Sequence, residues 1–287
     1  MTIPPLIEHF GPLVRDYDVL LCDVWGVVHN GIVAFTEACD ALARFRGAGG
    51  TVILITNAPR ASAAVQHILD RLAVPHEAYD AIVSSGDVTR GIVASRLQER
   101  VFHLGPERDL SIFAGFDVTL APAESADFAV CTGLFDDTRE TPDDYRELLA
   151  AMRARSLFMV CANPDIVVER GDELVYCAGA IADLYAAAGG KVIYAGKPYR
   201  PIYDEALATV ARVLGHACEH ERILAIGDSI RTDLKGAAAC GFDCLFVTAG
   251  IHAEELGGRE NPDASALADA FAAAGLYPTA VMRRLEW

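Results

Sequence analysis

The sequence has little positive charge. Lysine and arginine together number 24 of 287 residues, against 40 aspartates and glutamates, and the net charge is −16. The only lysines are Lys191, Lys197 and Lys235. A strongly acidic surface argues against nucleic acid or an anionic membrane as a main partner. It also disfavours an anionic substrate, unless a metal ion or a cluster of donors reverses the field at the site.

Signals for a zinc site and for a membrane segment are also absent from the sequence. The eight cysteines contain no C-x-x-C pair, and Cys240 and Cys244 have no companion pair, which argues against a zinc site. We expect reduced, buried thiols in a cytoplasmic protein. The first residues have no basic segment followed by an apolar one, and no apolar run is long enough to cross a bilayer. We therefore expect no membrane partner.

Apolar runs and amphipathic stretches alternate along the chain. Residues 17–22 and 51–55 are typical of buried strands, and residues 35–46 and 62–72 have helical periodicity. Further strands are expected at 81–83, 101–104, 128–131, 157–160, 191–194, 223–226 and 244–247. Further helices are expected at 6–15, 87–97, 142–154, 178–188, 202–214, 232–239 and 265–274. This alternation predicts an α/β fold with a parallel sheet covered on both faces.

Polar residues follow four of the predicted strands. They are Asp23, Thr56, Asn57, Lys197, Asp228 and Asp233. The carboxyl ends of parallel strands meet at one edge of a sheet, so we expect these residues to converge. Carboxylates suit Mg²⁺, while lysine, a hydroxyl and backbone N–H groups suit a phosphoryl group. Asp23 would then be placed to attack phosphorus and form an aspartyl-phosphate.

The order of these motifs resembles the haloacid dehalogenase superfamily. The chain has Asp-x-x-Gly-Val from Asp23, then Thr56-Asn57, then Gly196-Lys197-Pro198, then Gly227-Asp228-Ser229 followed by Asp233. The intervening Asn163-Pro164-Asp165 resembles subclass IIA, which includes bacterial nucleotide phosphatases, p-nitrophenylphosphatases and phosphoglycolate phosphatases. The resemblance covers roughly residues 17–255.

This resemblance implies a fold and an activity. The fold would be a Rossmann-like parallel-sheet core, residues 1–87 and 191–287, with an inserted α/β cap of the C2 type at 88–190. The activity would be Mg²⁺-dependent hydrolysis of a small phosphorylated metabolite through an aspartyl-phosphate. The cap would close over the site and set substrate choice, and caps of this type often form dimer contacts, which suggests a homodimer.

The resemblance also assigns roles by position. Asp23 would be the nucleophile and a metal ligand, with the backbone carbonyl of Trp25 and the carboxylate of Asp228 as further ligands. Asp233 would lie next to these ligands without binding the metal itself. Thr56, Asn57 and Lys197 would hold the phosphate, and Thr56 and Lys197 would act with Asp23 in catalysis.

Trp25 departs from the family pattern. Phosphatases of this kind usually read Asp-x-Asp, and the second Asp protonates the leaving group and then activates water. Trp25 can do neither, and general acid–base assistance is typically worth about 10²–10⁴ in rate. The indole either packs in the loop or stacks on a substrate ring. His29 is chemically able to replace the missing acid, although a structural role for it is the simpler interpretation.

Three functions remain open from the sequence. The first is the Mg²⁺-dependent phosphomonoesterase. The second is a catalytically impaired relative that binds a phosphorylated ligand through the same metal site, which Trp25 favours. The third is hydrolysis at carbon, as in dehalogenation, which the Asp228 and Asp233 pair disfavours.

Overall fold

The computed structural model describes residues 4–170 and 173–287. The chain forms two compact units. The first unit comprises Met1–Thr56, Gln66–Val83 and Tyr203–Trp287, and the second comprises Asn57–Val65 and Ser84–Ile202. Residues 57–65, 84–87 and 191–202 thus belong to the second unit. The core and cap boundaries given above stay a prediction.

The elements alternate along the chain. The strands are β1 (Val19–Asp23), β2 (Thr51–Thr56), β3 (Ala81–Ser84), β4 (Arg100–Leu104), β5 (Thr119–Leu120), β6 (Phe128–Cys131), β7 (Phe158–Cys161), β8 (Val167–Arg170), β9 (Glu173–Tyr176), β10 (Val192–Tyr194), β11 (Ile223–Gly227), β12 (Asp243–Val247) and β13 (Ala280–Met282). The α-helices are α1 (Thr36–Gly47), α2 (Ser62–Arg71), α3 (Ser85–Ala94), α4 (Arg146–Ala154), α5 (Ala178–Ala187), α6 (Arg200–Leu214), α7 (Lys235–Cys240) and α8 (Ala264–Ala274).

The first unit is built on a six-stranded sheet in the order β13-β12-β11-β1-β2-β3. The pairs on either side of β1 are parallel, with Leu20 opposite Val52 on β2 and Leu224 on β11. Every residue of β1, β2 and β11 is buried, as expected for strands covered on both faces. From β1 the chain adds β2 and β3 on one side of the sheet, and from β11 it adds β12 and β13 on the other side. Open α/β sheets bind ligands at such a switch point.

The second unit has its own parallel sheet, in the order β10-β7-β6-β4-β5. Two apolar clusters pack on its strands, and the larger includes Met159, Ile181 and the fully buried Tyr185. Strands β8 and β9 form a separate antiparallel pair. This unit is therefore an α/β structure with a hydrophobic core of its own.

The predicted fold class, parallel-sheet α/β, is confirmed. The helix expected at 6–15 is wrong: Leu6 bridges to Val281, and only Leu13–Asp16 form a short 3₁₀ turn. The Gly11-Pro12 step interrupts the helical hydrogen bonds there. The helix expected at 232–239 begins instead as a π-helical turn, Ile230–Leu234. No helix in the described ranges has the length and apolarity needed to cross a bilayer.

Candidate active site

Three aspartates meet at the switch point of the first unit. Asp23 is the last residue of β1, Asp228 follows β11, and Asp233 lies in the π-helical turn after it. One carboxylate oxygen from each lies within 4.8 Å of the others. All three side chains are buried, with exposed fractions of 7%, 4% and 3%. The sequence therefore places a concentrated negative charge at the carboxyl end of the central strands.

Backbone groups hold two of these carboxylates. The N–H of Ile251 donates to Oδ2 of Asp228 at 2.8 Å, and the N–H of Ser229 donates to Oδ2 of Asp233 at 3.1 Å. Glycines make the approach feasible. A Cβ at Gly26 would lie 2.0 Å from Oδ2 of Asp228, and one at Gly250 would lie 1.9 Å from the same atom. Asp228 is thus enclosed by main chain on two sides.

The acid cluster fits a divalent metal ion. Three like charges this close are costly in a buried site unless a cation compensates them. The donors are hard carboxylate oxygens, which Mg²⁺ prefers, and there is no sulfur or imidazole ligand in the cluster. Donor chemistry and burial together favour a magnesium-type site over a zinc-type one.

Thr56 ends the strand beside the nucleophile candidate. In the β1–β2 register Asp23 lies opposite Ile55, so Thr56 comes one residue beyond that pair. Its side chain is buried, with 7% exposed. Thr56 therefore shares the sheet edge of the acid cluster in the first unit.

A loop of residues 24–34, which we call the flap, follows Asp23. Two hydrogen bonds close its halves. The N–H of Val28 donates to the carbonyl of Val24, and the N–H of Phe35 donates to the carbonyl of Val28. Asn30 accepts the N–H groups of Ile32 and Val33 at its tip. The flap is a closed turn anchored at the end of β1.

His29 is a structural residue of the flap. Its ring is buried, and its Nδ1 accepts the N–H of Gly31 at 2.9 Å. Burial lowers the pKa of His29 to about 4, so the imidazole is neutral at pH 7. The ring packs edge-on against Trp25 with centroids 5.2 Å apart. A proton-transfer role for His29 gains no support from this environment.

Asn57 and Lys197 lie together in the second unit. Oδ1 of Asn57 accepts the N–H of Lys197 at 2.7 Å, and its Nδ2 donates to the carbonyl of Lys197 at 3.1 Å. Nδ2 also donates to Asp165 at 2.9 Å. Lys197 is 2% exposed. A Cβ at Gly196 would lie 2.3 Å from Oδ1 of Asn57, so this packing requires glycine at position 196.

The structure thus sorts the predicted residues into two sets. Asp23, Trp25, Thr56, Asp228 and Asp233 belong to the first unit. Asn57 and Lys197 belong to the second unit. Each set is assembled from segments that lie far apart in the sequence.

Sequence reasoning gave no role to several contributing residues. Gly250 and the N–H of Ile251 reach Asp228 from the loop after β12, and Asp165 binds Asn57. Asp165 had a signal in the Asn-Pro-Asp motif. The Gly250 and Ile251 contacts had none, because they depend on where β12 lies in the sheet.

A cavity of about 580 Å³ lies elsewhere in the first unit, at the opposite end of β1. Its lining includes Asp18, Arg222 and Trp287 and none of the predicted site residues. The acid cluster, and not this cavity, is the candidate active site.

Together, the parallel sheet and the acid cluster at its switch point define an α/β protein whose site fits a metal ion. Comparisons with known proteins agree. Residues 20–119 match the family model for haloacid dehalogenase-like hydrolases, and residues 194–274 match a second model of the same kind, described as HAD-hydrolase-like. A crystal structure of a haloacid dehalogenase-like hydrolase from Brucella suis 1330 is 46% identical, with a TM-score of 0.86. The match covers 98% of this chain and 100% of the Brucella suis chain.

Two further relatives carry more specific names. The 5'-nucleotidase YutF of Bacillus subtilis (strain 168) is 24% identical, and the match covers 84% of this chain and 91% of the relative. A glycerol phosphate phosphatase from Mycobacterium tuberculosis, solved in complex with magnesium, shares the fold. It is 24% identical with a TM-score of 0.65, and the match covers 93% of this chain and 76% of that one. The chain belongs to the haloacid dehalogenase-like hydrolase family, in its subclass IIA.

Proposed function

We propose that the protein is a Mg²⁺-dependent phosphomonoesterase that acts on a small phosphorylated metabolite. The observation that carries this proposal is the convergence of three buried aspartates at the switch point of a haloacid dehalogenase-like sheet. The names of the relatives support the reaction class, since they include a nucleotidase and a glycerol phosphate phosphatase.

The metal would be held by residues of the first unit. The carboxylates of Asp23 and Asp228 and the backbone carbonyl of Trp25 are the proposed ligands, and Asp233 would orient them from behind. The ion would neutralise charge on the phosphoryl oxygens. The magnesium in the Mycobacterium tuberculosis structure supports this choice of ion.

Asp23 performs the chemistry in this proposal. One carboxylate oxygen attacks phosphorus, the bond from phosphorus to the ester oxygen breaks, and the electron pair leaves with that oxygen. Water then attacks the aspartyl-phosphate, which releases phosphate and restores the carboxylate. Thr56, Asn57 and Lys197 hold the phosphoryl oxygens, and the charge of Lys197 favours the developing negative charge.

The test compares wild type with Asp23→Asn. With Mg²⁺ present, wild type should release phosphate from at least one of 4-nitrophenyl phosphate, glycerol 3-phosphate and nucleoside 5'-monophosphates. Asp23→Asn should release none and should take up no hydroxylamine-labile phosphoryl group. Asp40→Asn is the matched control, because Asp40 is an exposed helix residue paired with Arg44. Phosphate release that survives in Asp23→Asn or in EDTA would contradict the proposal.

Trp25 favours a second function. The protein would bind a phosphorylated ligand through the same metal site without hydrolysing it. That protein would turn over no ester, yet phosphate monoesters would protect it against heat only in the presence of Mg²⁺. Dehalogenation is the weaker alternative, and halide release from a 2-haloacid in EDTA would support it. The retained pair of Asp228 and Asp233 argues for the metal-dependent functions.

A further inference from the structure

Trp25 lies in the short segment between two residues that belong to or contact the acid cluster. The chain runs from Asp23, the last residue of β1, to Gly26, whose Cα lies against the Asp228 carboxylate. Between them Val24 is buried, with 2% exposed, while Trp25 is 41% exposed. The chain bends at Val24, so Asp23 and Trp25 lie on either side of a buried residue. The indole is therefore a solvent-accessible surface two residues from the proposed nucleophile.

The indole is held in a fixed position. Gly31 has a φ of +86°, and a Cβ there would lie 2.4 Å from Cη2 of the Trp25 ring. The ring of His29 supports the indole edge-on, and the backbone of these two residues forms a parallel bridge. The N–H of Gly26 also donates to the carbonyl of His29 at 2.8 Å. A flat aromatic surface that is pre-positioned in this way binds a planar group at little entropic cost.

The flap supplies no proton to a leaving group. Residues 24–34 contain one ionisable side chain, His29. That ring is 3% exposed, and its Nδ1 already accepts a backbone N–H. The indole N–H is no acid at neutral pH. An ester oxygen that leaves beside the flap therefore receives no proton from a flap side chain, and a group that is stable as an anion leaves most readily.

From these observations we propose that the enzyme selects phosphate compounds with an acidic leaving group, and that Trp25 stacks on the group when it is planar. Aryl phosphates fit both features, and acyl phosphates fit the first. This inference rests on the proposed phosphomonoesterase function and names its substrate class. Alkyl phosphates, whose alkoxides need a proton, are poor substrates.

The bond changes balance without an acid in the flap. The Asp23 oxygen forms a bond to phosphorus as the bond to the leaving oxygen breaks, and that oxygen departs as a phenolate or carboxylate. Water then forms a bond to phosphorus, and the bond from phosphorus to Asp23 breaks. The proton of that water passes to the released phosphate or to solvent.

The test measures kcat/KM for four substrates with Mg²⁺. They are acetyl phosphate, 4-nitrophenyl phosphate, phenyl phosphate and glycerol 3-phosphate. Wild type should favour 4-nitrophenyl phosphate over glycerol 3-phosphate by at least about 10²-fold, the lower end of what general acid catalysis supplies. Phenyl phosphate should fall between them, because its phenol has a pKa of about 10.

Two variants separate acidity from stacking. Trp25→Asp should raise kcat/KM for glycerol 3-phosphate by about 10²-fold. It should lower kcat/KM for 4-nitrophenyl phosphate by roughly 2- to 10-fold, because the ring stack is lost and this leaving group needs no acid. Trp25→Leu should keep the steep preference for acidic leaving groups. It should raise KM for the two aryl substrates by roughly 2- to 10-fold, the factor of one ring stack, and leave KM for acetyl phosphate unchanged.

The outcomes distinguish the two proposals. Wild-type values of kcat/KM that agree within about threefold for glycerol 3-phosphate and 4-nitrophenyl phosphate would overturn this inference and leave the phosphomonoesterase standing. An unchanged KM for aryl substrates in Trp25→Leu would overturn the stacking role. No phosphate release from any of the four substrates, acetyl phosphate included, would instead overturn the proposed function itself.

Discussion

Asp228 is the residue whose position is most tightly constrained at the site. The main chain at Gly26 and at Gly250 contacts its carboxylate from two sides, and Ile251 donates a hydrogen bond to Oδ2. A carboxylate held in this way has little freedom to adjust. The proposed metal site therefore depends on two glycines as well as on its acids.

Gly250→Ala should damage the site more than the fold. Its new Cβ would lie 1.9 Å from Oδ2 of Asp228, so the carboxylate must move. Misplacement of a catalytic group by about 1 Å can cost about 10²-fold in rate, and we expect a loss of that order in kcat. Mg²⁺ titration of the activity should show weaker binding.

The matched control for that variant is Gly47→Ala. No atom lies within 4 Å of the position that its Cβ would take, and it ends α1. We expect unchanged kinetics in this control. A Gly250→Ala enzyme with wild-type kcat and Mg²⁺ dependence would contradict the assignment of Asp228 as a ligand.

At the scale of elements, α3 begins with an unusually well-connected cap. Ser84 is fully buried, accepts the N–H of Asp87 at 3.0 Å, and its hydroxyl lies 2.6 Å from the carbonyl of Arg60. Asp87 in turn accepts the N–H of Ser84 at 3.2 Å. The cap therefore joins the start of α3 to the chain segment that precedes α2.

Ser84→Ala should destabilise the protein by about 2–4 kcal/mol. Loss of a cap costs about 1 kcal/mol, and the half-buried carbonyl of Arg60 left without its donor costs about 1–3 kcal/mol more. Asp263→Ala is the control, because Asp263 caps α8 by accepting two N–H groups at an exposed position. That change should cost only about 1 kcal/mol. Urea unfolding of both variants measures the difference, and equal midpoints would be inconsistent with the role of the Arg60 carbonyl.

The sequence predicted the elements that bury a long apolar face. Strands β1, β2 and β11 and helices α1 and α6 were located because their periodicity is a direct consequence of burial. The elements that were missed are short: β5 has two exposed residues, and β8 and β9 pair only with each other. Their stability comes from partners that a local pattern does not encode.

The sequence predicted the part of the candidate site that follows from fold class. Asp23, Asp228 and Asp233 follow strands, so fold class alone suggested that they meet. The pairing of Asn57 with Lys197 joins residues 140 apart, and no local pattern gives its geometry. The His29 environment was equally hidden, because burial of a flap residue depends on how the loop folds back.

At the scale of the whole molecule, negative charge dominates. The net charge is −16, and three of the acids are buried together. The folded chain therefore carries a local electrostatic cost that the proposed cation would offset. Stability and metal binding should be linked, because a ligand that binds only the folded state stabilises it by mass action.

We expect the effect of Asp233→Asn on stability to have opposite signs in EDTA and in Mg²⁺. In EDTA the variant should melt at a higher temperature than wild type, because one of three like charges is gone. In Mg²⁺ the wild type should gain about 2.7 kcal/mol at a hundredfold excess over its Kd, and the variant should gain less because it binds the ion more weakly. Thermal melts in both conditions measure this, with Asp40→Asn as the control. A wild-type melting temperature that is the same with and without Mg²⁺ would exclude a metal at the cluster.

The pairing of β1 on both sides has a consequence for local unfolding. It is paired with β2 and β11 along its length, and every one of its residues is buried. Local opening of such a strand requires rupture of both ladders at once, so its amide hydrogens should exchange with solvent only when the sheet itself unfolds. The flap that follows has no such double support. The proposed nucleophile is thus attached to a strand that should exchange slowly, while the flap beside it is held by its own turns and not by a sheet.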